Sequence, residues 1–172
     1  MALRPIATDV EVMRYIMAGV PWTDERIQLF VERQVELFSE RGFCRWKLLA
    51  KPAGEMIGFC GVGFWRDSPD LEIGWWLARQ YWGHGLATEA ARAALRDAFE
   101  RVGLHRVISI ARPANTASTR IMEKLGLELE CEFEEDGAPG TLCDSSPAEL
   151  NHPSFQLLQR IRCALLSNLP RI

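Results

Sequence analysis

The residues Trp82-Gly83-His84-Gly85-Leu86-Ala87-Thr88 stand between a hydrophobic run, Leu71 to Leu77, and an alanine-rich stretch, Ala90 to Arg101. Glycine tolerates positive φ and lets backbone amides approach a ligand with no Cβ in the way. Where a strand feeds a helix, such a loop aims unpaired N–H groups and the positive helix end at one spot. That spot suits an anion, most often a phosphate. A tight turn without a ligand would use the same glycines, so context must decide. The P-loop is excluded, because the segment has no lysine before a Ser or Thr. The dinucleotide fingerprint is excluded as well, since Thr88 fills its third small slot and several strands with no intervening helix come first.

The loop needs a strand before it and a helix behind it, and the chain supplies both. Leu71 to Leu77 reads as a strand, and Leu86 to Val102 as a helix with Ala87, Ala90, Ala91, Ala94, Leu95, Ala98 and Phe99 on one stripe. Gly103 closes that helix. Upstream, Val10 to Met17 reads as a short helix, and Thr23 caps another that runs to Arg41 and stops at Gly42. Trp46 to Ala50 and Met56 to Gly63 are strands around a Pro-Ala-Gly-Glu turn. Arg106 to Ala111 is a strand, Asn115 caps a helix to Leu125, and Leu127 to Phe133 is a last strand. The pattern predicts an α+β fold with a mixed, mostly antiparallel sheet.

Taken in order, Leu71 to Leu77, the glycine loop, Leu104 to Ile110, Asn115-Thr116-Ala117-Ser118 and Met122 to Leu127 resemble the central motifs of the GNAT superfamily of acetyl-CoA-dependent N-acetyltransferases. Within it, they look like the RimJ/RimL-like branch, which acetylates protein N-termini and small amines. The resemblance covers Trp46 to Glu130, about half the chain. In the family loop Q/R-x-x-G-x-G/A, Trp82 takes the first slot, Gly85 the central glycine and Ala87 the last position. Trp82 departs from the general pattern but is similar to this branch.

The resemblance implies acetyl-CoA as co-substrate, with its pyrophosphate on Trp82, Gly83, His84, Gly85, Leu86, Ala87 and Thr88. It implies that the end of the motif strand splays from its neighbour and that Trp76-Leu77-Ala78 pairs with the pantetheine arm. A backbone N–H there would face the developing oxyanion. Trp75 and Trp76 would pack on opposite sheet faces, one of them walling the acceptor pocket. Asn115 would cap its helix and also touch the cofactor arm. Ser118 matches a serine that gives a proton to the leaving thiolate, with a second capping hydroxyl as the plainer reading. Tyr81 and Tyr15 lie in the wrong places to replace it. Glu72 is the general base by resemblance, or else a solvent-facing residue at an alternating position. Glu130 and Glu132 are its rivals.

The resemblance further implies that the acceptor is a primary amine, attacked directly in a ternary complex. About a tenth of an α-amine is neutral at pH 7, against less than about a thousandth of a lysine amine, so an α-amine asks less of a base. A peptide or protein N-terminus is therefore expected. The alternatives are a small-molecule acetyltransferase for aminoglycosides, polyamines or amino acids, a fold that binds acetyl-CoA without turnover, and a partner-binding domain. Glu128, Glu130, Glu132 and Glu134 would share one strand face, either an acidic wall for a polycation or a solvated edge.

At 172 residues with a net charge of −3, 48% hydrophobic and 25% charged, the chain reads as one soluble globule. Nothing in its charge points to nucleic acid or an anionic membrane, and Met56 to Trp65 is too short to span one. Five widely spaced cysteines without a C-x-x-C pair suggest reduced thiols in a cytoplasmic protein, and His84, His105 and His152 lack metal-like spacing, so no metal is expected. A monomer or homodimer is anticipated. Both ends depart from the family. The first strand is abbreviated, since Leu3-Arg4-Pro5 leads almost directly to Asp9 to Ile16. The acetyltransferase domain is placed at 1–136. An atypical tail, 137–172, is turn-rich to Asn151 and helical from Ser154, with Phe155, Leu158, Ile161, Leu165 and Leu169 on one side.

Overall fold

The computed structural model describes residues 2–135, 138–145 and 161–164. Two short turns open it, α1 (Arg4–Ala7) and α2 (Val10–Met13), the second capped by Asp9, whose carboxylate accepts from the Glu11 and Val12 amides. The long helix α3 (Asp24–Arg41) begins at Thr23, whose hydroxyl accepts from the Arg26 amide, and carries Asp24 and Glu25 against its positive end. It stops where Gly42 takes φ 77°. Three antiparallel strands follow, β1 (Arg45–Ala50), β2 (Met56–Phe64) and β3 (Leu71–Leu77). Then come α4 (Leu86–Arg96), continued by a π-helical turn over Asp97–Arg101, β4 (Val107–Ala111), α5 (Thr116–Leu125) and β5 (Glu128–Glu135). β6 (Ala138–Ser145) and β7 (Ile161–Ala164) complete the described strands.

The seven strands form one sheet in the order β5-β6-β4-β3-β2-β1-β7. Every described neighbour pair is antiparallel except β3 with β4. Alternation sends Ile73 and Leu77 to one face, into a core shared with Leu86, Ala90, Ala94, Leu95, Met122 and Leu125 of α4 and α5. The other face carries a second core, in which Phe59 meets Leu3, Ile6, Met13, Trp22 and Ile27 of the N-terminal helices. Trp75 packs against the first core and Trp76 against the second, as strand alternation demands.

Two expectations for the C-terminal part are corrected. The stretch from Gly137, read as turn-rich, contains β6, which lies between β5 and β4 with Leu142 and Cys143 buried. Its turn-forming residues are tolerated for local reasons. Pro139 stands at the strand start, and Gly140 is covered by the Phe133 ring, which a Cβ would strike at 2.8 Å. The predicted helix from Ser154 meets strand β7 in its described part, Ile161–Ala164, paired antiparallel with Lys47–Ala50. The backbone donors and acceptors on the outer edge of β1 favour a paired segment there over a free amphipathic helix. Residues 154–160 and 165–169 lie outside the described residues.

Candidate functional site

β3 and β4 are joined in register at a single described pair, Glu72 with Ile108. Beside it the Ser109 hydroxyl donates to the Ile73 carbonyl at 3.2 Å. Beyond this point β3 and β4 have no further described pair, while β4 keeps β6 on its other edge from Val107 to Ala111. The opening flanks Trp75, Trp76 and Leu77. Because the two strands run parallel, the helices that follow them, α4 and α5, both begin at the open end. Unpaired backbone at a sheet splay is available to an amide-bearing ligand.

The loop that enters α4 matches what its glycines require. Gly83 and Gly85 both adopt φ 76°, the left-handed region, and Gly85 stands at the N-cap with no side-chain cap bond. The Glu89 amide is the first to bond back, to the Gly85 carbonyl at 3.0 Å. Among the described residues the amides of Gly85, Leu86, Ala87 and Thr88 therefore donate to no protein group, leaving a concentrated donor set at a helix N-terminus. Trp82 gains a role that the motif did not reveal: its indole N–H donates to the Leu77 carbonyl at 2.8 Å and pins the loop to the end of β3. Tyr81 donates its hydroxyl to Glu55 at 2.8 Å, a bond that raises the phenol above its ordinary value and turns it away from proton donation.

Asn115 caps α5, its side-chain oxygen accepting from the Ser118 amide at 3.3 Å. Ser118 is half-buried, and among the described residues its hydroxyl has no hydrogen-bond partner. Glu72 sits at the paired root of the splay. Its carboxylate accepts from the Arg45 guanidinium at 2.8 Å, and both side chains are largely buried. Arg45 reaches it by lying over Gly63 of β2 and Gly74 of β3; a Cβ on Gly63 would collide with the guanidinium, and one on Gly74 would meet it at 3.4 Å. The Arg45 amide in turn donates to the buried Gln34 carboxamide at 2.9 Å. Sequence reading missed Arg45. The signal was there in Gly61 and Gly63, alternate residues that empty one face of β2.

The rival bases fall elsewhere. β6 separates β5, and with it Glu130 and Glu132, from the splay. Glu130 joins Asp70 and Asp144 around Arg106. A register shift between Leu129 and Cys131 also breaks the expected single acidic face. Cys44, Cys60 and Cys143 are buried, and burial pushes the Cys44 thiol up to about 12. Among the described residues no group of three or more His, Cys, Asp or Glu side chains gathers to hold a metal, and no helix is long and apolar enough to cross a membrane.

The family model described as acetyltransferase (GNAT) domain matches residues 1–128. The chain belongs to the GNAT acetyltransferase family. It is 31% identical over 134 residues to the uncharacterised N-acetyltransferase YnaD of Bacillus subtilis strain 168, covering 78% of this chain and 76% of that one. It is 34% identical over 133 residues to FsC-acetyl coenzyme A-N(2)-transacetylase of Aspergillus fumigatus, covering 69% and 54%. A GNAT-family acetyltransferase structure from Bacillus anthracis aligns at a TM-score of 0.71 with 27% identity, over 84% of this chain and 87% of that one. GNAT enzymes take their acetyl group from acetyl-CoA. The uncapped amides at the start of this GNAT chain's α4 are chemically suited to the pyrophosphate of that co-substrate.

Proposed function

We propose that this GNAT enzyme acetylates the α-amine of a peptide or protein N-terminus, as the RimJ/RimL-like branch does, by direct attack within a ternary complex. The reading rests chiefly on one observation: β3 and β4 part beyond Glu72 and Ile108, and the uncapped start of α4 stands at their open end. In this scheme Gly83 to Thr88 bind the pyrophosphate through backbone amides, while Trp76 and Leu77 offer backbone to the pantetheine arm and Asn115 holds it from the facing side. Acetyl-CoA supplies an acetyl thioester. The amine nitrogen bonds to its carbonyl carbon, the C–S bond breaks, one amine proton passes to Glu72, and the thiolate takes a proton from the Ser118 hydroxyl, which regains one from water as Glu72 returns its own to solvent. The free Ser118 hydroxyl supports that last role, and the Arg45 anchor supports a carboxylate held in fixed orientation. An α-amine suits such a site because an appreciable fraction is already neutral near pH 7.

Thiol release should be measured with N-terminal peptides, the same peptides blocked at the N-terminus but carrying lysine, free amino acids, polyamines and aminoglycosides. Turnover is expected with free α-amines and lost on blocking. Efficient acetylation of aminoglycosides with none of peptides would overturn this choice of acceptor. Saturable acetyl-CoA binding with no thiol release from any amine would reduce the chain to a binding fold.

A further inference from the structure

We infer that Arg26 and Arg112 form a carboxylate-reading end of the acceptor site, so that the preferred acceptor is an α-amine with an acidic side chain in its first few residues. The inference rests on the splay being the acetyl-transfer site. In the parallel pair, Glu72 stands opposite Ile108, and Arg112 follows one residue past the end of β4 at the opening. Alternation puts Glu72 and Trp76 on the sheet face covered by the N-terminal helices, and Arg112 reaches that same side through its bond to Met17. There Trp76 meets Trp22 edge-on at 4.7 Å between ring centroids, and the Arg26 guanidinium lies 4.9 Å from the centroid of that Trp22 ring.

Both guanidiniums converge on Met17. Arg112 donates to its carbonyl at 2.6 Å and Arg26 to its sulfur at 3.0 Å. Met17 is itself unusual, exposed and at φ 50° without being glycine. Non-glycine residues in that conformation are uncommon and are held there by their surroundings, here by the two guanidiniums on Met17. Among the described residues neither arginine has a carboxylate partner. The carboxylates of this corner are already engaged: Asp9 with the α2 amides, Glu11 with Arg14, Asp24 with Arg4, and Glu25 with Thr23. A thioether and a neutral carbonyl are weak acceptors for a guanidinium, and a carboxylate replaces them with charge-assisted, bidentate bonds. Trp22, the ring beneath Arg26, is buried, and among the described residues its indole N–H has no hydrogen-bond partner.

The test compares kcat/KM for peptides of the form Ala-Glu, Ala-Gln and Ala-Lys followed by a common neutral sequence, with free glutamate as a separate acceptor. Binding of the same peptides to the protein–CoA complex is measured alongside. The Glu peptide should exceed the Gln peptide by about tenfold in both readouts, and the ratio should shrink as salt rises. In Arg26→Gln and Arg112→Gln the ratio should fall to between about one and three, while Arg33→Gln, an exposed α3 change, should retain it. Glutamate outpacing every peptide would move the carboxylate from a peptide side chain to a free amino acid and overturn the peptide assignment. Equal turnover and equal binding of Glu and Gln peptides, or a preference that survives both substitutions, would overturn the inference and leave the acetyl-transfer reading standing. Tighter binding of the Glu peptide with no turnover of any amine would instead overturn the acetyl-transfer reading alone.

Discussion

Arg45 on β1 donates to Glu72 on β3 at 2.8 Å, spanning the intervening strand β2 across a glycine floor. Two predictions separate a catalytic from a structural role for this pair. Glu72→Gln should lower kcat by about 10²-fold at pH 7, the lower end of general-base contributions. The deficit should narrow towards pH 9, where more of the α-amine is neutral without help. An equal deficit at every pH, accompanied by a drop in Tm, would mark the pair as structural. Gly63→Ala should reproduce part of that loss with little change in Tm, because its methyl displaces only the flexible end of Arg45.

Gly85→Val should weaken acetyl-CoA binding by more than about tenfold while the protein stays folded, as judged by calorimetry and circular dichroism. The left-handed backbone at φ 76° costs a non-glycine residue about 1–2 kcal/mol, and relief of that strain turns the α4 amides away from their common focus.

Gly58 tests the splay from the other side. A Cβ there would collide with the Trp76 carbonyl and come within 3.0 Å of the Leu77 Cα. The obstacles are backbone atoms, so β3 itself must shift. Gly58→Ala should cost about 1–3 kcal/mol in denaturant unfolding and raise the KM for acetyl-CoA.

Much of this fold was legible because its signals are local. Thr23, Asn115, Gly42 and Gly126 sit at helix ends as caps must, and the strand Leu71–Leu77 and the helix Thr116–Leu125 have the bounds their patterns predict. The π-helical turn after Arg96 was not legible, since apolar periodicity carries no trace of a change in hydrogen-bond register. β6 was hidden because Pro139 and Gly140 read as turn residues until Phe133 is known to lie over the glycine. β7 depends on the unpaired edge of β1, a partner remote in sequence. The site shows the same division. The glycine loop and the Asn115 cap were visible as motifs, whereas Arg45, Arg112 and Arg26 acquire meaning only through contacts between distant elements.

Burial makes a chemical prediction as well. The Cys44 thiol, pushed up to about 12, holds almost none of its reactive thiolate at pH 8, and burial also raises Cys143. Raising a thiol's value lowers the thiolate fraction at any given pH, so alkylation should spare both in the native protein and modify the exposed Cys131 first. Peptide mapping after brief iodoacetamide treatment reads this directly. Modification of Cys44 at the rate of Cys131 would mean that β1 opens readily.

The most direct test of acetyl transfer to an α-amine is a single experiment on the intact protein: acetyl-CoA with a free N-terminal peptide, following thiol release and the peptide's mass together. The expected result is one acetyl group on the α-amine for each thiol released, with no reaction when the N-terminus is blocked. Thiol release without peptide acetylation, or acetylation confined to a lysine side chain, would contradict it.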